Sequence, residues 1–380
     1  MDIFDNTTTL EEQMVHLATS RRIPIGGSIE LLPLCNMSCD MCYVRLSKSE
    51  MEQQGKMRTL DEWRMLANQM KENGVLFLLL TGGEPLLYPD FKELYLYLQK
   101  IGMILTINTN GTLIDKKWAE FFGKNPPRRI NVTLYGTNEE TYSSLCHHPG
   151  GLKKTIEAIR LLREQKVDVK INGSLVKVNC LDIDKITELA RSLGVPIKID
   201  TYMYPATRER SNIFNEHIRL SPQDAADAKL HFTKTILTSE QFKKYTQKTL
   251  HLVENTPVGQ AIPGSVECRA GKSSFAINWC GEMRPCILLT TPSISAFEHD
   301  FTYAWNYIVK ETDKIRLSAK CNQCTFRKVC QTCAACAFWE SGKYDGVPEY
   351  MCQYTSYKLE VLKQLDESEK LKKNNRTYFS

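Results

Sequence analysis

Leu34-Cys35-Asn36-Met37-Ser38-Cys39-Asp40-Met41-Cys42-Tyr43 sets three cysteines in a C-x3-C-x2-C spacing. Cysteine thiolates hold iron–sulfur clusters, and a run that offers only three suits a [4Fe–4S] cluster with one iron left open. A structural zinc site needs a fourth Cys or His nearby. None follows before Cys146. An open iron implies a small molecule bound at its fourth position.

Fourteen cysteines are many for a chain of 380 residues. In a reducing compartment they point to metal or redox chemistry rather than structural disulfides. Three lie at 35–42 and nine between Cys268 and Cys352, with Cys146 and Cys180 standing alone. That clustering implies two metal-bearing regions. The length implies about two domains, and 42% hydrophobic residues are enough for a sizeable core. With 49 basic and 44 acidic residues, the net charge of +5 is too balanced to argue for nucleic acid. No apolar run approaches the ~18 residues of a membrane span. Met1-Asp2-Ile3-Phe4-Asp5 lacks the basic start and apolar core of a signal peptide. The composition reads as a cytoplasmic protein with neither nucleic acid nor membrane as partner.

The pattern around the cysteine loop is α/β. A strand is expected at 28–34, carrying the loop at its C-terminal end. Thr59 and Glu62 form a capping box for a helix running to about residue 73, with Leu60, Trp63, Leu66 and Met70 on its apolar face. Residues 75–81 stay apolar until Gly82-Gly83-Glu84-Pro85, as a parallel strand buried on both faces does. Helices at 90–101, 115–123, 152–165 and 183–193 then alternate with strands at 103–109, 130–135, 167–176 and 195–203. Six such units imply a parallel sheet with right-handed crossovers. The expected fold is a partial (β/α)6 TIM-like barrel over 28–206, followed by a small cysteine-rich α+β domain over 265–355. Residues 1–27 form a lead-in with a helix at 10–20. A helical linker spans 207–264, polar at 207–215, with Ser221-Pro222 opening a long helix. A charged helix and a tail, frayed from about residue 370, occupy 356–380.

C-x3-C-x2-C just after a first strand resembles the radical S-adenosylmethionine (radical SAM) superfamily. The resemblance implies that the open iron chelates the amino and carboxylate groups of SAM. One electron then splits SAM into methionine and a 5′-deoxyadenosyl radical, which takes a hydrogen atom from the substrate. Met41 stands where the family usually has an aromatic residue, a position that offers its backbone and an apolar side chain to adenine. Gly82, Gly83, Glu84 and Pro85 match the element that receives the SAM amino group, through backbone carbonyls and Glu84. Glycines permit the close approach and proline fixes the exit. Asn108, in Asn108-Thr109-Asn110-Gly111, is the candidate to face SAM. Thr133 matches a Ser/Thr directed at the ribose or carboxylate, and Asn172 and Ser174 are further candidate contacts. The alternative for each is a sheet residue hydrogen-bonded locally. Lys198, Asp200, Tyr202 and Tyr204 alternate along the sixth strand, either bordering adenine or substrate or standing as solvated edge residues.

Cys268 is followed by twelve residues, Gly281, four residues and Cys286; then come Cys321-x2-Cys324-x5-Cys330-x2-Cys333-x2-Cys336 and Cys352. This resembles the SPASM extension of radical SAM enzymes, whose pattern is C-x9-15-G-x4-C, a gap, C-x2-C-x5-C-x3-C, a gap, and C. The last interval of the second block is one residue short at Cys333 or two long at Cys336. The resemblance implies two auxiliary [4Fe–4S] clusters. The first takes Cys268, Cys286 and Cys333 or Cys336, with Cys280 as its fourth ligand. The second takes Cys321, Cys324, Cys330 and Cys352. Zinc is the alternative, since C-x2-C pairs build zinc ribbons. Residues 275–279 are expected to form a hairpin leading to Gly281.

SPASM enzymes crosslink or epimerise ribosomally made peptides, or form formylglycine in sulfatases. Ile287 stands where the sulfatase-type maturases carry an aspartate base, which argues against formylglycine. The 27 residues ahead of the barrel cannot hold the leader-binding domain of many peptide maturases. A separate leader-recognition protein, a short peptide or another substrate class is then needed. Cys146 is either a hydrogen-atom donor to a substrate radical, as in family epimerases, or a free cysteine at a helix end, and Cys180 reads as a small packed hydrophobe. The expected function is SAM-dependent radical modification of a peptide, fed by a donor such as flavodoxin or ferredoxin. A SPASM oxidoreductase of a small molecule and a non-catalytic iron–sulfur electron-transfer protein are the alternatives.

Overall fold

A computed structural model describes residues 9–204, 218–256, 264 and 266–377, with side chains as far as 371. Six strands, β1 (Gly26–Glu30), β2 (Phe77–Thr81), β3 (Ile104–Thr109), β4 (Arg129–Thr133), β5 (Val169–Ser174) and β6 (Ile197–Asp200), lie side by side in chain order. Every neighbouring pair among them is parallel. Helices Leu60–Glu72, Phe91–Lys100, Lys116–Lys124, Gly151–Glu164 and Ile183–Ser192 fall between them. The capping box expected at Thr59 and Glu62 is formed. Asp115 and Ser221 cap their helices in the same way, each accepting a backbone N–H.

Strand residues alternate in burial because successive side chains point to opposite faces. Leu78, Leu80, Leu105, Ile107, Ile130, Val132, Ile171 and Ile199 are buried in one continuous core with the helices' Trp63, Leu66, Leu94, Phe122, Ile159 and Ile186. The opposite face carries Thr81, Asn108, Asn131, Thr133, Asn172 and Ser174, all only part-buried. An apolar side packed under helices and a polar side left open give the fold its orientation.

The expected strands run long at their ends. The first begins at Gly26 and leaves regular strand geometry after Glu30, and the sixth is four residues long. The short helix Lys48–Gln54 was not anticipated, although Ser47 and Glu50 form its capping box. It is polar and buries little beyond Met51. The lead-in helix is Leu10–Arg21. The polar stretch 207–215, residues 1–8, Ser265 and the last three residues lie outside the described residues.

The cysteine-rich region does not build a sheet of its own. β7 (Ser274–Ile277) pairs parallel with β1, and β8 (Glu282–Arg284) and β9 (Ile294–Ser295) extend it antiparallel. The expected hairpin is present, but it continues the barrel sheet to nine strands. The frayed tail is also corrected: the helix Glu349–Thr377 runs through residue 370. It packs on helices Pro222–Ile236 and Ser239–Glu254. Lys243–Glu369 and Lys370–Asp366 ion pairs hold its distal turns.

The seam between β1 and β7 depends on size complementarity. A Cβ on Gly27 would lie 2.3 Å from the Phe275 ring. That ring, 2% exposed, meets Phe301 and Trp305 edge to face. Phe275→Ala should cost about 3–5 kcal/mol, read as a lower urea midpoint. An unchanged midpoint would show that the seam does not hold the sheet together.

Candidate active site

The cysteine loop and the Gly-Gly turn are built as one unit. Beyond Glu30 the chain stays paired with the end of β2. Leu31 N–H donates to Thr81 O at 3.0 Å, Gly83 N–H to Leu32 O at 2.8 Å, and Glu84 N–H to Leu34 O at 2.9 Å. Gly82 has φ +142°, and a Cβ there would lie 2.4 Å from Leu32 O. At Gly83 it would lie 2.2 Å from Leu34 O. No side chain fits at either position, so the chain entering the loop can lie directly on the turn. Within the loop, Cys42 N–H donates to Cys39 O at 3.0 Å. Met37 N–H is aimed at Cys35 Sγ and Arg45 N–H at Cys42 Sγ, both at 3.3 Å.

Glu84 is spent inside the fold. Its carboxylate, 0% exposed, accepts the Thr109 hydroxyl at 2.8 Å, Asn110 N–H at 2.8 Å and Leu86 N–H at 3.2 Å. Burial pushes its pKa up to about 7, against these donors. The expectation that the Glu84 side chain meets a ligand is corrected: it ties the end of β2 to the end of β3. Pro85 opens a single 3-10 turn behind it and is buried.

Asn110 is a residue that reading the sequence missed. Its Nδ2 reaches Asn36 Oδ1 at 2.9 Å and Cys35 Sγ at 3.6 Å, while its Oδ1 accepts Thr112 N–H at 2.9 Å. The signal was present in the Asn108–Gly111 turn, but Asn108 was preferred. Asn108 lies on the open polar face, where its Oδ1 accepts Asn131 Nδ2–H at 2.8 Å. Thr133 is on the same face, 3.5 Å from Thr109 O. In register with Thr133 stands Asn172, and Ser174 is in register with Asp200. The Oδ1 atoms of Asn131 and Asn172 are buried without a hydrogen-bond partner. Met41 is buried in the main core.

Cys146 closes the loop from behind. It ends the helix Glu139–Cys146, whose last carbonyls accept loop N–H groups: Cys146 O from Ser38 at 3.0 Å and Leu145 O from Asp40 at 3.1 Å. His147 Nε2 meets Asp40 Oδ1 at 2.6 Å. The Cys146 thiol is 0% exposed and hydrogen-bonded to Cys39, which, with burial, raises the Cys39 pKa. With no exposed surface it has no opening toward a substrate in this conformation. Cys180 is part-buried beside the core.

Downstream, the cysteines sort into two sets. Cys268, Cys286 and Cys333 are electrostatic neighbours of one another. Cys321, Cys324, Cys330 and Cys352 form the second set and line a cavity of about 450 Å³ with Phe326 and Val347. Among the described residues, no three Cys, His, Asp or Glu side chains converge tightly enough for one metal ion. The placement of Cys280 as a ligand is corrected. It packs with Leu34, Met51 and Trp279 and donates to Asn278 Oδ1 at 3.2 Å, away from both sets.

Residues 29–193 match the Radical SAM superfamily. The chain carries a radical SAM domain. It is 27% identical over 331 residues to the AdoMet-dependent heme synthase of Methanosarcina barkeri, covering 83% of this chain and 92% of that one. It is 25% identical to the antilisterial bacteriocin subtilosin biosynthesis protein AlbA of Bacillus subtilis, covering 82% and 67%. The crystal structure of Streptococcus suis SuiB bound to precursor peptide SuiA superposes with a TM-score of 0.65 at 18% identity, covering 93% of this chain and 84% of that one. A likeness over 93% of the chain extends past the barrel, so the cysteine-rich extension shares the fold too.

The protein is therefore a radical SAM enzyme, whose family chemistry uses a [4Fe–4S] cluster and SAM. Its residues fit that cluster. Burial pushes the Cys35 thiol up to about 12, so an ionised triad here needs a cationic partner. Met37 and Arg45 supply the N–H···S bonds that such thiolates take. No described helix is long and apolar enough to cross a membrane.

Two outcomes follow. Gly83→Ala forces the backbone of Leu34 to move and should cost about 1–3 kcal/mol; the variant retains less iron after anaerobic reconstitution, and wild-type iron content would refute the clash. Folding raises the Glu84 pKa from 4.5 to about 7. Its contribution to stability is therefore full below about 4.5 and lost as pH rises through about 7. In Glu84→Gln, urea midpoints measured across that window should vary less with pH, and an unaltered slope would show that another group titrates there.

Proposed function

We propose that this radical SAM enzyme modifies a peptide, forming a crosslink or thioether or inverting a residue. The observation that carries the reading is the open polar face of the sheet, with the buried carboxamide oxygens of Asn131 and Asn172 lacking donors. Unsatisfied buried acceptors call for N–H groups, which SAM's amines and peptide amides both offer. The similarity to AlbA and to SuiB, solved with a precursor peptide, supports the same substrate class. Ile287, in place of an aspartate base, argues against formylglycine formation.

In this reading Cys35, Cys39 and Cys42 hold the SAM-binding cluster. When bound, it supplies the electron that splits SAM and so generates the hydrogen-abstracting radical. Backbone carbonyls of the Gly82–Gly83 turn receive the SAM amino group, and Met41 offers its apolar side chain to adenine. Asn108, Thr133, Asn172 and Ser174 position ribose and substrate along the open face. Cys268, Cys286 and Cys333 hold one auxiliary cluster; Cys321, Cys324, Cys330 and Cys352 hold another. A flavodoxin or ferredoxin supplies electrons, and a separate protein presents the leader of the peptide. Cys146 backs the cluster loop rather than quenching a substrate radical.

Similarity to the heme synthase favours a second reading, a tetrapyrrole or other small molecule as substrate. Anaerobic assays with SAM and dithionite separate them. A short peptide encoded beside this gene should lose the mass of two hydrogens on crosslinking or thioether formation, or take up deuterium from deuterium oxide on inversion, only with the intact enzyme, while iron-coproporphyrin should be recovered unchanged. The reverse result would overturn the peptide reading. Replacing Cys35, Cys39 and Cys42 together by Ala should abolish 5′-deoxyadenosine, and normal SAM cleavage by that variant would sink the mechanism.

A further inference from the structure

Beyond Asp200 the chain leaves the sheet, and its next two alternate residues reach into the cysteine-rich region. The rings of Tyr202 and Tyr204 meet edge to face, 5.0 Å apart. Tyr202 Oη donates to Glu340 Oε1 at 2.6 Å and lies 3.2 Å from Cys336 Sγ. Arg219 pairs with Glu340, both side chains being about nine-tenths buried. Its guanidinium also sits 3.6 Å from the Tyr350 ring centroid. Tyr204 Oη lies 3.8 Å from Cys333 Sγ.

Counting protons orders this group. A phenol has one, and an ionised carboxylate only accepts. Tyr202 gives its proton to Glu340, so the contact with Cys336 is an S–H donating to Tyr202 Oη. Cys336 thereby stays a thiol in a chain from Cys336 through Tyr202 to Glu340 and Arg219. Cys333 remains as the third sulfur beside Cys268 and Cys286. Among the described residues, the phenol of Tyr204 has no acceptor but that sulfur.

We propose that Tyr204 donates its O–H to the Cys333 thiolate and so raises the reduction potential of the cluster held by Cys268, Cys286 and Cys333. This rests on the auxiliary-cluster reading above. Hydrogen bonds to ligand sulfurs are one of the settings of cluster potential, because a donor withdraws charge from the sulfur and favours the extra electron. Tyr204 is then a positioning residue carried by the barrel and acting on the extension. The Tyr202–Glu340–Arg219 chain holds its neighbouring ring in place.

The test is Tyr204→Phe in the full chain, reconstituted anaerobically, with iron counted and potentials read by electron paramagnetic resonance during a dithionite titration. The wild type should hold about twelve irons, as three [4Fe–4S] clusters do. The variant should keep that count while one of its three potentials falls. Exchange into deuterium oxide should shift the iron–thiolate stretching bands in the resonance Raman spectrum more in the wild type than in the variant, because backbone donors such as Leu289 N–H to Cys286 Sγ exchange in both and only the Tyr204 O–H is lost. Full iron with three unchanged potentials overturns the proposal. Loss of about four irons also overturns it, because Tyr204 would then hold the cluster itself. About four irons in the wild type overturn the auxiliary-cluster reading, and this inference with it.

Discussion

Two backbone hydrogen bonds, from Gly83 to Leu32 and from Glu84 to Leu34, are the constraint on which the site depends. They press the segment entering the cysteine loop onto the turn that ends β2, at distances no Cβ would permit. Everything that makes the loop a site is then added from neighbouring strand ends. Glu84 gathers Thr109 and Asn110 from β3, and Asn110 reaches back to Cys35. From behind, the helix ending at Cys146 supplies two carbonyls to the loop. The loop is thus positioned by three separate parts of the barrel.

Much of this was legible in the chain because spacing carries it. The cysteine intervals, the Gly-Gly turn after an apolar strand and the alternation of helix and strand each have a local physical cause. What was not legible was long-range. Nothing near Ser274 says that it lies beside Gly26. Nothing near Tyr204 says that its phenol meets a cysteine more than a hundred positions away. Cys280 illustrates the converse. By spacing it is a fair ligand, yet the fold turns it toward Trp279 and Met51. Asn110 was overlooked beside Asn108 because two amides two residues apart share a strand face; what separates them is that β3 ends at Thr109 and the turn beyond carries Asn110 to the loop, and the end of β3 could not be fixed to a single residue from sequence.

The sheet also explains how two regions with different chemistry can be rigid relative to each other. A peptide linker would leave their separation free, whereas β7 lies on β1 through a ladder of backbone bonds. At the other edge of the parallel set, Tyr202 and Tyr204 pin the end of β6 to the same extension. The cysteine-rich region is fastened at both ends of the strand array, so the distance from the loop to the downstream sulfurs is set by the sheet.

The position of β1 has a consequence for biosynthesis. β1 is among the first strands to emerge from the ribosome, but one of its two edges is covered only when β7, far down the chain, has been made. Until then its N–H and C=O groups on that side are free to pair with another nascent chain. Joining segments so distant in sequence is also slow. Gly26 and Gly27 lie in this strand, and glycines weaken strand pairing. The same glycine that makes room for Phe275 in the finished protein therefore makes β1 a poor template for the wrong partner while the protein is incomplete.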